Sequence, residues 1–208
     1  MNVFLCKGII IGEPCTGKTS LLCRYTKNIF NPEYTCTIGV DFQVKQLRLK
    51  EGVLKLQLWD TAGQEKYRIL TTSYFKGSRV CLVLYDITRR TTFDKVSEWV
   101  NQFNKNQSTT ENVLVIIGNK NDLNDSRQVK FEEGVELAKS NNCLFFETSV
   151  KTNPEGINQL FDVVAEKAFA LLKKDAEQNK SDNSDVIHLE KLENHEIKEQ
   201  NECQCLTI

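Results

Sequence analysis

The chain has 208 residues, 40% of them hydrophobic, and 27 Lys and Arg against 28 Asp and Glu leave a net charge of -1. That length suits one α/β domain of about 170 residues plus a tail and leaves no room for a second enzyme domain. A near-neutral balance argues against the broad basic face by which nucleic acid is bound, and no stretch reaches the ~18 apolar residues of a membrane span.

Met1 to Leu5 lacks a basic segment followed by a long apolar run, so synthesis in the cytosol is expected. The first apolar run, Leu5 to Ile11, predicts a strand buried on both faces. It leads into Gly12-Glu13-Pro14-Cys15-Thr16-Gly17-Lys18-Thr19, the pattern of a phosphate loop opening a helix over Lys18 to Tyr25. Such a loop needs inward backbone N–H groups at a helix N-terminus, a lysine for the β- and γ-phosphates and a hydroxyl for Mg²⁺. Val40 to Leu49 alternates apolar with polar residues and turns at Glu51-Gly52 into the run Leu54 to Trp59, a hairpin that adds an antiparallel edge strand.

Trp59-Asp60-Thr61-Ala62-Gly63-Gln64-Glu65 follows that strand. Asp60 fits the carboxylate that holds Mg²⁺ through water, Gly63 can bring its N–H to the γ-phosphate, and Gln64 can both accept from the attacking water and donate to the transition state. Glu65 is the weaker alternative as a base. Strands are predicted at Val80 to Tyr85, Val113 to Ile117 and Leu144 to Phe146, and helices at Thr92 to Asn104, Phe131 to Ser140 and Pro154 to Leu172, the last opened by Pro154 and Glu155. Between them lies Asn119-Lys120-Asn121-Asp122. The Asp122 carboxylate can accept from both N1–H and the 2-amino group of guanine; adenine offers neither, and leaving the carboxylate unpaired discriminates by roughly 10⁴-fold. GTP and GDP, not ATP, are the expected ligands.

These elements predict a three-layer α/β fold of the P-loop NTPase kind: a mostly parallel six-stranded sheet with one antiparallel edge strand and helices on both faces. After Lys174 the composition turns to Asn, Ser, Asp, Glu, Lys and Gln with no aromatic residue, a linker expected to be mostly disordered. Leu189, Leu192 and Ile197 could line one face of a short helix on a partner, against a plain solvated tail. The eight cysteines are scattered and read as free thiols; both histidines, His188 and His195, lie in the tail, so no zinc site is expected.

With Thr37 ahead of Ile38-Gly39-Val40-Asp41-Phe42, and Lys55 to Glu65 reading KLQLWDTAGQE, the chain resembles a Rab GTPase of the Ras superfamily from Leu5 to about Lys173 and again at its end. The resemblance implies a G domain over residues 1–173 and a hypervariable tail over 174–208. It places Pro14, Cys15, Thr16, Gly17, Lys18, Thr19, Ser20 and Tyr34 around the nucleotide, with Thr19 and Thr37 on Mg²⁺, Thr37 only when GTP is present. Phe30 would lie on one face of the guanine ring and the Lys120 stem on the other, ordinary core packing being the alternative for Phe30. Asn119 would fix the loop and Asp122 read the base. Thr148-Ser149-Val150-Lys151 resembles the family's SAK segment, whose middle N–H, here that of Val150, would meet the guanine carbonyl oxygen.

The resemblance further implies a slow switch in vesicle traffic. Loss of the γ-phosphate releases Asn31 to Gly39 and Gly63 to Thr72. Intrinsic turnover is on the order of 10⁻⁴ s⁻¹, raised roughly 10³- to 10⁵-fold by an activating protein. Effectors would read Ile38, Gly39, Val40, Asp41 and the triad Phe42, Trp59 and Tyr74, for which sheet packing is a compatible reading. An exchange factor, an escort protein and a dissociation inhibitor are implied as well. Cys203-Gln204-Cys205-Leu206-Thr207-Ile208 resembles a double geranylgeranylation ending, and two lipids hold a chain stably on a membrane where one is marginal. A pool on the cytoplasmic face of intracellular membranes and another in the cytosol would follow; acidic residues outnumber lysines from Lys173 to Glu202, so no polybasic patch assists.

Several positions depart from the family pattern. Pro14 and Cys15 stand where small residues are usual, and Pro14 has no N–H to give, which makes a GTP-binding scaffold with little hydrolysis the alternative reading. Cys15 and Cys36 flank the phosphates, so oxidation there would loosen nucleotide. Tyr74-Phe75-Lys76-Gly77-Ser78 replaces the more usual YYRGA and leaves the subfamily unassigned.

Overall fold

The computed structural model describes residues 2–32, 40–61, 74–107 and 111–182. Among them six strands form one sheet: β1 (Asn2–Ile11), β2 (Val40–Leu49), β3 (Gly52–Thr61), β4 (Val80–Asp86), β5 (Val113–Asn119) and β6 (Leu144–Glu147), in the order β2-β3-β1-β4-β5-β6. The β2–β3 hairpin is antiparallel and every other pairing parallel. Continuous apolar runs have the expected consequence: β4 and β5 are buried at every position, as strands covered on both faces must be. On the edge strand β2, the charged Asp41 and Arg48 stay exposed, and such charges oppose further strand pairing.

Five α-helices cover the sheet among the described residues: α1 (Lys18–Lys27), α2 (Arg90–Asp94), α3 (Val96–Lys105), α4 (Phe131–Ser140) and α5 (Pro154–Asp182). Leu21, Leu22 and Tyr25 of α1 and Leu160, Phe161 and Phe169 of α5 form a core with Ile10, Leu56 and Val115, in which Tyr25 stacks on Phe161 with centroids 3.6 Å apart. On the other face Phe93, Val96, Trp99, Phe103 and Ala138 pack on Ile9, Val83 and Ile116. Each large side chain so buried stabilises the fold by about 1.5–3 kcal/mol, which is why the helix stripes settle on these faces.

Two elements differ from the sequence reading. The helix expected over Thr92 to Asn104 is split at Lys95, whose φ of -89° and ψ of -9° interrupt the ladder while Phe93 and Val96 both stay buried. Hydrophobic spacing does not register such a break. The last helix continues to Asp182 rather than stopping at Leu172. Ion pairs fasten the first residues past Leu172: Lys173 meets Glu51 of the hairpin turn, Lys174 meets Glu111 at 2.6 Å, and Asp175 meets Arg79 ahead of β4. Polar composition alone suggested a loose chain, but these contacts tie residues 173–175 to the turns that precede the strands.

Candidate active site

Two glycines shape the loop after β1. Gly12 has φ +134° and a Cβ there would strike the Leu84 carbonyl oxygen; Gly17 has φ +97° and a Cβ would strike Asn119 Nδ2. Only glycine satisfies both the backbone and the close approach. Helix α1 begins at Lys18 without a side-chain cap and without an acidic residue in its first turn, so its first N–H groups suit an anion. Cys15, by contrast, holds φ +62° with a full side chain. Thr16 is fully buried and its hydroxyl donates to the Glu13 carbonyl at 3.0 Å, while Ser20 is half-buried on α1.

Lys18 is 5% exposed and donates from Nζ to the Gly12 and Glu13 carbonyls, both at 2.9 Å. Burial pulls its pKa down to about 8, against the opposing pull of Asp60, Glu13 and Cys15; Arg89 adds to the lowering. A buried ammonium whose hydrogen bonds here go to neutral carbonyls is matched by a polyphosphate. Beside it the Thr19 hydroxyl donates to Asp60 Oδ2 at 2.6 Å. Asp60 Oδ1 is buried and has no hydrogen-bond partner among the described residues. Burial raises Asp60 to about 6, although the Thr19 bond and Lys18 work the other way.

An orphaned carboxylate oxygen next to a hydroxyl is a pair of hard oxygen donors, which fits Mg²⁺. Among the described residues no group of His, Cys, Asp and Glu is large enough to hold a metal by itself. Mg²⁺ is commonly bound by one or two carboxylates together with substrate phosphates, and Asp60 offers one such carboxylate.

The second loop is built around Asn119, at the end of β5 and 2% exposed. Its Nδ2 donates to the Thr16 carbonyl at 2.8 Å, and its Oδ1 accepts from the N–H groups of Lys120 at 2.8 Å and Val150 at 3.1 Å. The Val150 N–H, assigned by resemblance to the guanine oxygen, is thus engaged with Asn119. Ser149 is fully buried and its hydroxyl accepts from the N–H groups of Lys151 and Thr152. Lys120 Nζ pairs with buried Asp86 at 2.7 Å; burial would raise that carboxyl, but Lys120 and Thr88 hold it below its ordinary value. Asp122 stands exposed in the 3₁₀ turn Asn121–Ser126. Phe30 is half-buried against the α1–α5 core, with the Arg24 guanidinium 5.7 Å from its ring centroid.

The aromatic triad is assembled. Phe42 stacks on Trp59 at 5.0 Å and Trp59 meets Tyr74 at 5.5 Å, with Phe42 50% exposed. Asp41 is exposed beside them, and the backbone of Val40 opens β2. Tyr34, Cys36, Thr37, Ile38, Gly39, Gly63, Gln64, Cys203 and Cys205 lie outside the described residues.

Four residues of the site escape sequence reasoning. Arg24 donates to the Val150 and Lys151 carbonyls at 3.0 and 3.2 Å, fastening the third loop to α1. Arg89 Nη2 donates to the Pro14 carbonyl at 3.0 Å, Trp99 Nε1 to the Glu13 carboxylate at 3.0 Å, and Asp86 holds Lys120. Each acts across a long stretch of chain, and no local pattern marks it.

The chain also resembles known proteins. The Ras family model matches residues 7–170. The "Ras-related protein RabQ" of Dictyostelium discoideum is 40% identical over 174 residues, 84% of either chain. The "GTP-binding protein ypt2" of Schizosaccharomyces pombe is 40% identical over 180 residues, 86% of this chain and 84% of its own. The "Ras-related protein Rab-18-B" of Danio rerio is 42% identical over 161 residues, 77% of this chain and 78% of its own.

Proposed function

The chain belongs to the Ras family as a Rab-like small GTPase, and from that premise we propose which of its residues carry the GTP/GDP switch. The phosphates rest on the loop Pro14 to Ser20, with Lys18 balancing their charge. Thr19 and Asp60 would hold Mg²⁺, joined by Thr37 when GTP is bound. Mg²⁺ supplies charge neutralisation at the β- and γ-phosphates. Asp122 reads the guanine edge, flanked by Lys120, Phe30 and the Ser149-Val150-Lys151 loop, and Tyr34 and Gly63 close on the phosphate end. Gln64 orients the attacking water.

The observation that carries this reading is the double attachment of Asn119. One buried side chain bonds the phosphate loop through Thr16 and the base loops through Lys120 and Val150. Phosphate and base recognition are therefore parts of one rigid site, as a nucleoside polyphosphate requires. The test is single-turnover hydrolysis of bound GTP by purified chain with Mg²⁺, with ATP as competitor. Slow phosphate release untouched by ATP is expected; displacement of GTP by equal ATP refutes the assignment of Asp122. Tight GTP binding with no phosphate release favours the second reading, a GTP-holding scaffold, for which Pro14 with its missing N–H is the specific observation.

The proposal extends to the membrane. Residues 174–208 act as the tail, its first stretch to Asp182 still part of α5, and geranylgeranyl groups on Cys203 and Cys205 attach it to the cytoplasmic face of intracellular membranes. No helix among the described residues is long and apolar enough to cross a membrane; the two closing cysteines, with two lipids where one is marginal, are what support the anchor. An escort protein delivers the chain for lipidation and a dissociation inhibitor carries the cytosolic pool. An exchange factor and an activating protein drive the cycle, and effectors bind Ile38 to Phe42 with Trp59 and Tyr74. Mass spectrometry of the chain recovered from cell membranes, showing both cysteines modified, is the expected result; unmodified thiols on membrane-bound chain refute the anchor.

A further inference from the structure

The Pro14–Cys15 turn is the least self-sufficient part of the phosphate loop. Pro14 has no N–H, and Cys15 keeps a side chain at φ +62°, a conformation that glycine adopts freely and other residues resist. A residue with a side chain favours negative φ, so holding Cys15 here calls for a restraint from its surroundings. The turn is held in place from outside.

Arg89 comes from 75 positions along the chain and donates from Nη2 to the Pro14 carbonyl at 3.0 Å. Its backbone is itself fixed: the Arg89 N–H donates to the Asp86 carbonyl, and the Arg89 carbonyl accepts from the N–H of Thr92 at 3.0 Å and from its buried hydroxyl at 2.7 Å. The Asp86 carboxylate anchoring the same turn takes Thr88 on one oxygen and Lys120 of the base loop on the other. The neighbouring loop residue, Glu13, is bonded in turn by Trp99 at 3.0 Å. A charged donor on a rigid turn thus grips the strained residue pair from the wall that also carries the base loop.

We infer that Arg89 is a positioning residue: its bond to the Pro14 carbonyl keeps the Pro14–Cys15 turn in the geometry that retains nucleotide. The inference rests on the phosphate-loop reading above. It makes the departure at Pro14 and Cys15 tolerable to binding, because the side chain at position 89 supplies the restraint that glycine would make unnecessary.

The test is the release rate of a fluorescent GDP analogue from the full chain loaded with Mg²⁺ and the analogue. Arg89→Ala should release it about tenfold faster, and Arg89→Lys, which keeps the charge but loses the guanidinium's fixed fork, several-fold faster. The deciding arm is a double-mutant cycle with Cys15→Gly. Glycine holds the positive φ without strain, so in that background adding Arg89→Ala should change release by less than about threefold. Equal acceleration in both backgrounds would mean that Arg89 acts only through its charge and would overturn the inference, as would Arg89→Ala releasing at the parent rate. Should Arg89→Ala fail to fold, the same cycle with Arg89→Lys decides. A parent chain that takes up no GDP analogue sinks the phosphate-loop reading itself, and the inference with it; the other outcomes bear on Arg89 alone.

Discussion

Replacing Asn119 with alanine should break the link between the two halves of the site, and the groups it abandons set the size of the effect. Thr16 is 0% exposed and Val150 2%, so the Thr16 carbonyl and the Val150 N–H would be stranded out of reach of water. Each stranded group costs about 1–3 kcal/mol, for a total of about 2–6 kcal/mol in the nucleotide-free chain. The Lys120 N–H belongs to a half-exposed residue and is resolvated at little cost. Urea unfolding of nucleotide-free protein reads the stability, and GDP titration reads the site, where at least about a tenfold loss of affinity is expected, equivalent to about 1.4 kcal/mol. Asn119→Asp separates the two arms. It keeps the acceptor for Lys120 and Val150 but sets a carboxylate oxygen against the Thr16 carbonyl, so GDP binding should weaken even though the base loops stay bonded. The reasoning is refuted if Asn119→Ala stays within about 0.5 kcal/mol of the parent, the range of a bland surface change, and binds GDP equally well.

Gln64→Leu should leave GTP bound but abolish most of its hydrolysis, and equal single-turnover rates in mutant and parent would remove Gln64 from catalysis. Burial lifts Asp60 to about 6 from an ordinary 3.8, so in the nucleotide-free chain its ionisation opposes folding: the contribution of Asp60 to stability is fully present below pH 3.8 and about 3 kcal/mol of it is lost as pH rises through 6. A divalent cation offsets that cost and competes with the proton, so GDP affinity in Mg²⁺ should fall by up to about tenfold per pH unit below pH 6; an identical pH profile without Mg²⁺ contradicts this. Ending the chain after Lys173 removes the Lys174–Glu111 and Asp175–Arg79 pairs and should lower stability by about 1 kcal/mol, most of it from the less exposed Arg79–Asp175 pair. Ending it after Asp182 should leave the urea midpoint unchanged, and equal midpoints for the two truncations would show that the pairs contribute nothing.

What was legible in the sequence and what was not divide along a physical line. The sheet, its antiparallel edge and the phosphate loop could be read because their causes are local: runs of apolar residues, alternation, and glycines beside a lysine. The N-terminus of α4 falls where the pattern placed it for the same reason, with Glu133 accepting from the Lys130 N–H within one turn. Arg24, Arg89 and Trp99 could not be read, since each meets a partner 75 to 126 positions away. Trp99 is the plainest case. Helical spacing assigns it correctly to the core, where it is 2% exposed, yet its indole N–H reaches out of that core to Glu13. One side chain serves packing and site together, and only the first role has a period.

Topology explains how the remote residues come to meet. Strand order reverses beside β1: the chain passes from β1 out to β2 and back to β3 on one side, then crosses to β4, β5 and β6 on the other. In open parallel sheets such a reversal opens a crevice at the carboxyl ends of the strands. The register pairs Ile11 with Val83 and Asp86 with Asn119, so the ends of β1, β4 and β5 deliver the phosphate loop, the Asp86–Arg89 turn and the base loop side by side. The same register accounts for the clash that a Cβ on Gly12 would make with Leu84 and for the reach of Asn119 to Thr16. Once the sheet is wound in this order, three loops distant in sequence share one wall. A change in any one of them, such as Pro14 in place of a smaller residue, can then be answered by a side chain from another.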